Sequence, residues 1–128
     1  AYLNNLKNSK SGSIVFLSSV AANIGLPFHS SIAMAKGGLQ GLSNALAAEL
    51  APFIRVNAVA LSLINTPLSV KFTDSPLKLE QMQKRNPMRQ VGQARDAANA
   101  IAFLLSEKAA WVSGQVFAID GGMATLKN

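Results

Sequence analysis

Ser13-Ile14-Val15-Phe16-Leu17-Ser18 is a short, nearly continuous apolar run with β-branched residues at its centre. Runs of this kind mark strands buried on both faces, as in a parallel sheet covered by helices. Just before it, Ser11-Gly12 form a turn signal, and residues 1–10 read as the tail of a helix. After it, Gly25 and Pro27 break the chain into a loop. The next segment, from about Ser30 to Leu50, carries Leu39, Leu42, Leu46 and Leu50 at three- and four-residue steps, which predicts a helix with one apolar stripe. Gly37, Gly38 and Gly41 each weaken that helix by about 1 kcal/mol relative to alanine. Three glycines at that cost predict close approach of a sheet or another helix on their face. Pro52 marks the helix end.

Further on, Ile54-Arg55-Val56-Asn57-Ala58-Val59-Ala60 reads as a second buried strand. Residues 61–75 read as a loop, with Thr66-Pro67 as a turn or helix-entry signal, and residues 76–85 as a polar helix. Asp96 is the expected N-cap of a helix through Leu105, with Ile101, Leu104 and Leu105 on its apolar side. Gly114-Gln115-Val116-Phe117-Ala118-Ile119-Asp120 reads as a third strand closed by Gly121-Gly122. Strands alternating with helices predict a parallel α/β sheet with right-handed crossovers. There is no internal repeat, linker or low-complexity segment, so residues 1–128 read as a single domain.

Composition narrows the class. Of the 128 residues, 49% are apolar and 14% charged, which excludes a disordered chain. No apolar run is long enough to cross a bilayer, and no signal-peptide pattern opens the chain. The absence of cysteine rules out a disulfide framework and thiolate metal sites. It is compatible with a reducing compartment, and the expected location is cytoplasmic. The net charge of +6 raises a nucleic-acid reading, but the basic residues are scattered. The one loose cluster, Lys84, Arg85, Arg89 and Arg95, has no interleaved aromatics, so no nucleic-acid partner is expected. The chain begins at Ala1 inside what reads as a helix end, which suggests a fragment or a processed product.

Five ordered motifs then carry a resemblance. Gly12 through Ser19 resembles a strand ending in a catalytic serine. Ile32 and Lys36 fall on the two ends of a Tyr-x-x-x-Lys helix. Ile54 through Val59, the Thr66-Pro67-Leu68 segment, and Gly114 through Gly122 complete the series. Together they resemble the C-terminal half of the short-chain dehydrogenase/reductase family. The resemblance implies a partial Rossmann-like, doubly wound parallel sheet, the family's strands 5–7 with their intervening helices, in a three-layer α/β/α arrangement. It further implies an oxidoreductase that interconverts carbonyl and alcohol groups with NAD or NADP.

In this family the tyrosine acts as general acid or base, and a lysine one helical turn later stabilises its phenolate. The lysine also binds the cofactor ribose, and the serine positions the substrate oxygen. Carried over, the implied catalytic residues are Ser19, which lies thirteen residues before position 32, and Lys36. Ser18 is the neighbour. Lys36, Ile64 and Thr66 are the implied cofactor contacts. Three departures stand beside these matches. Ile32 replaces the proton donor. Leu61-Ser62 stands where the family usually has Pro-Gly near the nicotinamide. No Gly-x-x-x-Gly-x-Gly phosphate loop occurs, and the family's fourth-strand asparagine would precede residue 1. Restoring tyrosine at position 32 is therefore expected not to rescue activity in this chain by itself.

His29, the only histidine, lies seven residues before Lys36 and is the one candidate to replace the phenol; read plainly, it is an exposed loop residue near the helix start. Ser31 is adjacent to position 32, but a hydroxyl without a neighbouring base is a poor acid. Trp111 reads as a packing anchor. Met82 and Met88 fall in a segment that resembles the family's substrate cover or, equally, a plain surface helix. Two readings follow. One is an oxidoreductase that is inactive as this isolated chain. The other is a non-catalytic binding or assembly module. For either, homo-oligomers are expected through helix 30–50, whose Gly37, Gly41, Ala45 and Ala48 suit close packing, and through the free edge of the 13–19 strand.

Overall fold

The computed structural model describes residues 2–9 and 11–127. Three parallel strands form its centre: β1 (Gly12–Ser19), β2 (Ile54–Leu61) and β5 (Val116–Ile119), in the order β1-β2-β5. Gly12 pairs with Ile54 at one end of the first ladder and Ser19 with Leu61 at the other. A second, two-residue ladder joins β3 (Ile64–Asn65) to β4 (Gly92–Gln93). The helices are α1 (Leu3–Asn8), α2 (Ser30–Leu50), α3 (Pro76–Arg85) and α4 (Ala94–Leu105), with short 3₁₀ segments at Val20–Ala22, Pro67–Phe72 and Glu107–Ala109.

Side-chain alternation along the strands assigns the layers. Ile14, Phe16, Ile54 and Val56 share one face and pack with Ala47 and Leu50 of α2. On the other face, the Ser13 hydroxyl and the Arg55 guanidinium both donate to the Leu104 carbonyl of α4. The sheet is thus covered on both sides, a Rossmann-like α/β/α arrangement. The two crossovers do not share the expected right hand. Both crossovers step the same way across the sheet, yet α2 and α4 lie on opposite faces. They therefore have opposite hands and cannot both be right-handed. Arg55 and Ser13, which tie α4 to the second face, hold that arrangement.

Five local features differ from those expected. Leu42 is exposed, and the buried line of α2 runs through Ser43, Ala47 and Leu50. The small side chains of Ser43 and Ala47 let the middle of the helix lie close to the sheet, and Leu50 fills the wider gap at its end. A Cβ placed on Gly37, Gly38 or Gly41 would meet nothing within 4 Å, so these glycines accommodate no neighbour within the chain. Asp96 is not the N-cap of α4 but its third residue. The cap is Gln93, whose N–H donates to the Asp96 carboxylate at 2.7 Å. Leu105 is exposed, and Ala97 and Leu104 take the buried face. Trp111 is fully exposed and anchors no core.

Candidate active site

The implied site residues gather at the carboxyl ends of β1 and β2, where open α/β sheets place their ligands. The two serines that end β1 separate cleanly. Ser18 is buried, and its hydroxyl donates to the Lys36 carbonyl at 3.1 Å and accepts from Gln40 Nε2 at 3.0 Å. It ties β1 to α2 and is not presented to a ligand. Ser19 turns the other way, caps the Val20–Ala22 turn by accepting from the Ala21 N–H at 3.2 Å, and lines a cavity. Lys36 Nζ donates to the Leu17 carbonyl at 2.7 Å, which holds the ammonium beside the end of β1. An ammonium has three donors, so two remain for a ligand.

The cavity has a volume of about 310 Å³. It is lined by Ser19 at the end of β1, by Val20 and Ala21 just after it, by Met82, Arg85 and Asn86 at the end of α3, and by Met123 of the C-terminal turn. Leu26, His29 and Phe72 complete it. Ile32, about 38% exposed on α2, does not line it. His29 does, from the position just before the first turn of α2. Its ring is exposed, and Nδ1 bonds the Pro27 carbonyl at 2.6 Å. A carbonyl can only accept, so Nδ1 carries the proton and Nε2 is the nitrogen left for other partners.

Ile64 and Thr66 follow β2. Ile64 packs so closely on β4 that a Cβ at Gly92 would come within 2.6 Å of its Cδ1. Thr66 opens the Pro67–Phe72 segment, where its N–H donates to Ser69 Oγ at 3.0 Å and the two hydroxyls lie 3.2 Å apart. Its hydroxyl is already engaged within the chain. Ser62 Oγ donates to the Asp120 carbonyl at 3.3 Å, tying the end of β2 to that of β5.

Asn86 is a site residue that sequence reasoning missed. It is buried, donating from Nδ2 to the Asp120 carbonyl at 2.7 Å and accepting from the Met88 N–H at 2.9 Å. Those bonds clamp the end of α3 onto the C-terminal turn. The turn is in turn braced by the Asp120 carboxylate, which accepts from the Gly122 and Ala124 N–H groups, both at 2.8 Å. Among the described residues, no group of three or more His, Asp or Glu side chains could hold a metal ion.

The chain is similar in sequence and fold to several known proteins. Residues 1–124 match the family described as enoyl-(acyl carrier protein) reductase. A tropinone reductase homologue from Arabidopsis thaliana is 39% identical over 119 residues, covering 92% of this chain and 39% of that protein. The structure of a short-chain type dehydrogenase/reductase from Mycobacterium ulcerans superposes with a TM-score of 0.89 at 30% identity, covering 98% of this chain and 46% of that one. A gluconate 5-dehydrogenase from Burkholderia cenocepacia, solved in complex with NADP and tartrate, gives a TM-score of 0.88 at 26% identity over 97% of this chain and 49% of that one. The chain belongs to the short-chain dehydrogenase/reductase family of oxidoreductases, and it spans half or less of the length of these relatives.

The donor set fits a nicotinamide cofactor in part. The Lys36 ammonium keeps N–H donors beyond its bond to the Leu17 carbonyl, as a hydroxyl-bearing ligand would need. The Thr66 hydroxyl would have to leave Ser69 or share its bond.

Proposed function

We propose that these residues form the substrate-side portion of a nicotinamide-dependent site for carbonyl–alcohol interconversion, in which Ser19 and Lys36 are retained and the proton donor is not. The observation that carries it is Ser19 facing the cavity while Lys36 is held on the carbonyl two residues earlier in the same strand. When bound, NAD or NADP would supply hydride chemistry. Lys36 would hold the ribose, with Ile64 and Thr66 beside the ring. Ser19 would donate its hydroxyl hydrogen to the substrate oxygen and orient it. Ile32 has no proton to give, and losing a positioned general acid costs about 10²–10⁴-fold in rate. The 128-residue chain is therefore read as having little or no turnover, in a cytoplasmic setting.

The test is oxidation of NADH and NADPH by the purified chain against a panel of small ketones and aldehydes. No rate above background is expected. Cofactor-dependent turnover that disappears in Lys36→Ala would overturn the inactive reading.

A second reading, a non-catalytic assembly module, is favoured by one observation. Gly41, Ala45 and Ala48 are exposed on α2, and the glycines there have open space before them. Two copies of such a face would pack closely about a two-fold axis. The same surface would serve an active oligomer. Light scattering at high micromolar concentration is expected to show a dimer or larger, and Ala45→Glu should dissociate it. A monomer at that concentration would remove this reading.

A further inference from the structure

We propose that a second cavity takes a neutral polyhydroxylated ligand, a sugar or an alditol, and that Asn65, Gln83 and Gln90 recognise its hydroxyls. This cavity is lined from β3, from α3 and from the first turn of α4, and its volume is about 470 Å³. That is within the about 300–1,000 Å³ range of ligand pockets. Gln90 and Val91 also line the cavity beside Ser19, so the two are neighbours. Neither Ser19 nor Lys36 lines the second one.

The lining is mostly polar, and four of its eight residues carry carboxamides. The Gln93 amide is engaged, donating from Nε2 to the Val91 carbonyl at 3.3 Å. The side-chain amides of Asn65, Gln83 and Gln90 bond no described residue. Each offers two N–H donors and a carbonyl acceptor. A hydroxyl also donates and accepts, so neighbouring hydroxyls reproduce the bonds that water makes to these groups. A purely apolar ligand would displace that water and return none of its bonds. Charge narrows the class further. No Lys, Arg or His lines the cavity, and its one carboxylate is Asp96. One Asp96 oxygen accepts from the Gln93 N–H at 2.7 Å, which leaves the other to accept from a hydroxyl. An anion would meet that carboxylate and no cation. A cation would gain one solvent-exposed ion pair, which contributes little. Leu79 and Val91 add apolar contact that suits the C–H groups of a sugar.

The experiment titrates D-glucose, D-sorbitol, cyclohexanol, D-glucuronate and protonated D-glucosamine into the isotope-labelled chain without nicotinamide. The side-chain amide signals of Asn65, Gln83 and Gln90 report binding. Glucose or sorbitol is expected to shift all three and to bind about tenfold more tightly than cyclohexanol, as one or two neutral hydrogen bonds allow. Glucuronate should bind more weakly than glucose, and glucosamine about as tightly. Gln83→Ala and Asn65→Ala should each weaken binding of the preferred polyol about fivefold. Asn65 is exposed, so Asn65→Ala decides if Gln83→Ala fails to fold. The absence of a saturable shift with both polyols would overturn the proposal. So would equal affinity for cyclohexanol, or polyol binding untouched by Asn65→Ala. Shifts confined to Ser19, Ala21 and Met123 would place the polyol in the other cavity and overturn it as well. A tenfold preference for glucosamine that disappears in Asp96→Asn would show that the site reads a cation instead.

Discussion

Ser43 is fully enclosed between α2 and the sheet, and its hydroxyl has no hydrogen-bond partner among the described residues. An unpaired buried hydroxyl costs about 1–3 kcal/mol. Ser43→Ala removes that cost and keeps the small volume the helix needs there, so it is expected to raise stability by about 1 kcal/mol in urea unfolding. A clear loss would show that the hydroxyl is satisfied. Gly121 illustrates the reverse constraint. Its φ of +63° is left-handed, and a Cβ there would collide with the Asn86 side-chain amide. Some of this was readable from residue order. Counting thirteen residues back from position 32 singles out Ser19 over Ser18, whereas the bonds of Ser18 to Lys36 and Gln40 are visible only in the fold. Asn86 was not readable, because the carbonyl it holds lies 34 residues further along the chain and no local pattern announces it.

Among the elements, long periodic segments were legible and short ones were not. The α2 boundaries, Ser30 and Leu50, follow from the leucine spacing and Pro52. The two-residue strands β3 and β4 have no periodicity to read, and they exist because Gly92 admits Ile64. The start of α4 was misplaced because an aspartate can serve either at the cap or at the third position. Here it is the reciprocal partner of Gln93. Asp96→Ala is expected to lower stability by about 0.5–2 kcal/mol, read as a fall in the denaturation midpoint. A change within error would show that Gln93 caps alone. On α3 the Lys84 ammonium, by hydrogen bond and charge, holds the Glu80 carboxyl below its ordinary range. The pair's contribution is present above that ordinary range and fades as pH falls, and its full exposure keeps it slight.

At the scale of the molecule, the fold class was legible because buried strands and an amphipathic helix alternate in a way few architectures accept. The hand of the second crossover was not, since it depends on which face Arg55 and Ser13 find for α4. Ser19 ends β1, and the Lys36 ammonium is held on the Leu17 carbonyl two residues before it, so both lie at the same end of the sheet. The ladder order has a dynamic consequence of its own. β2 is flanked on both sides, while β1 meets a described strand on one side only. In the free chain, alternate backbone amides of β1 face away from β2. In heavy water those alternate amides should take up deuterium early, while β2 from Ala58 to Leu61 exchanges last. Uniform protection along β1 would mean that another chain is shielding it in solution.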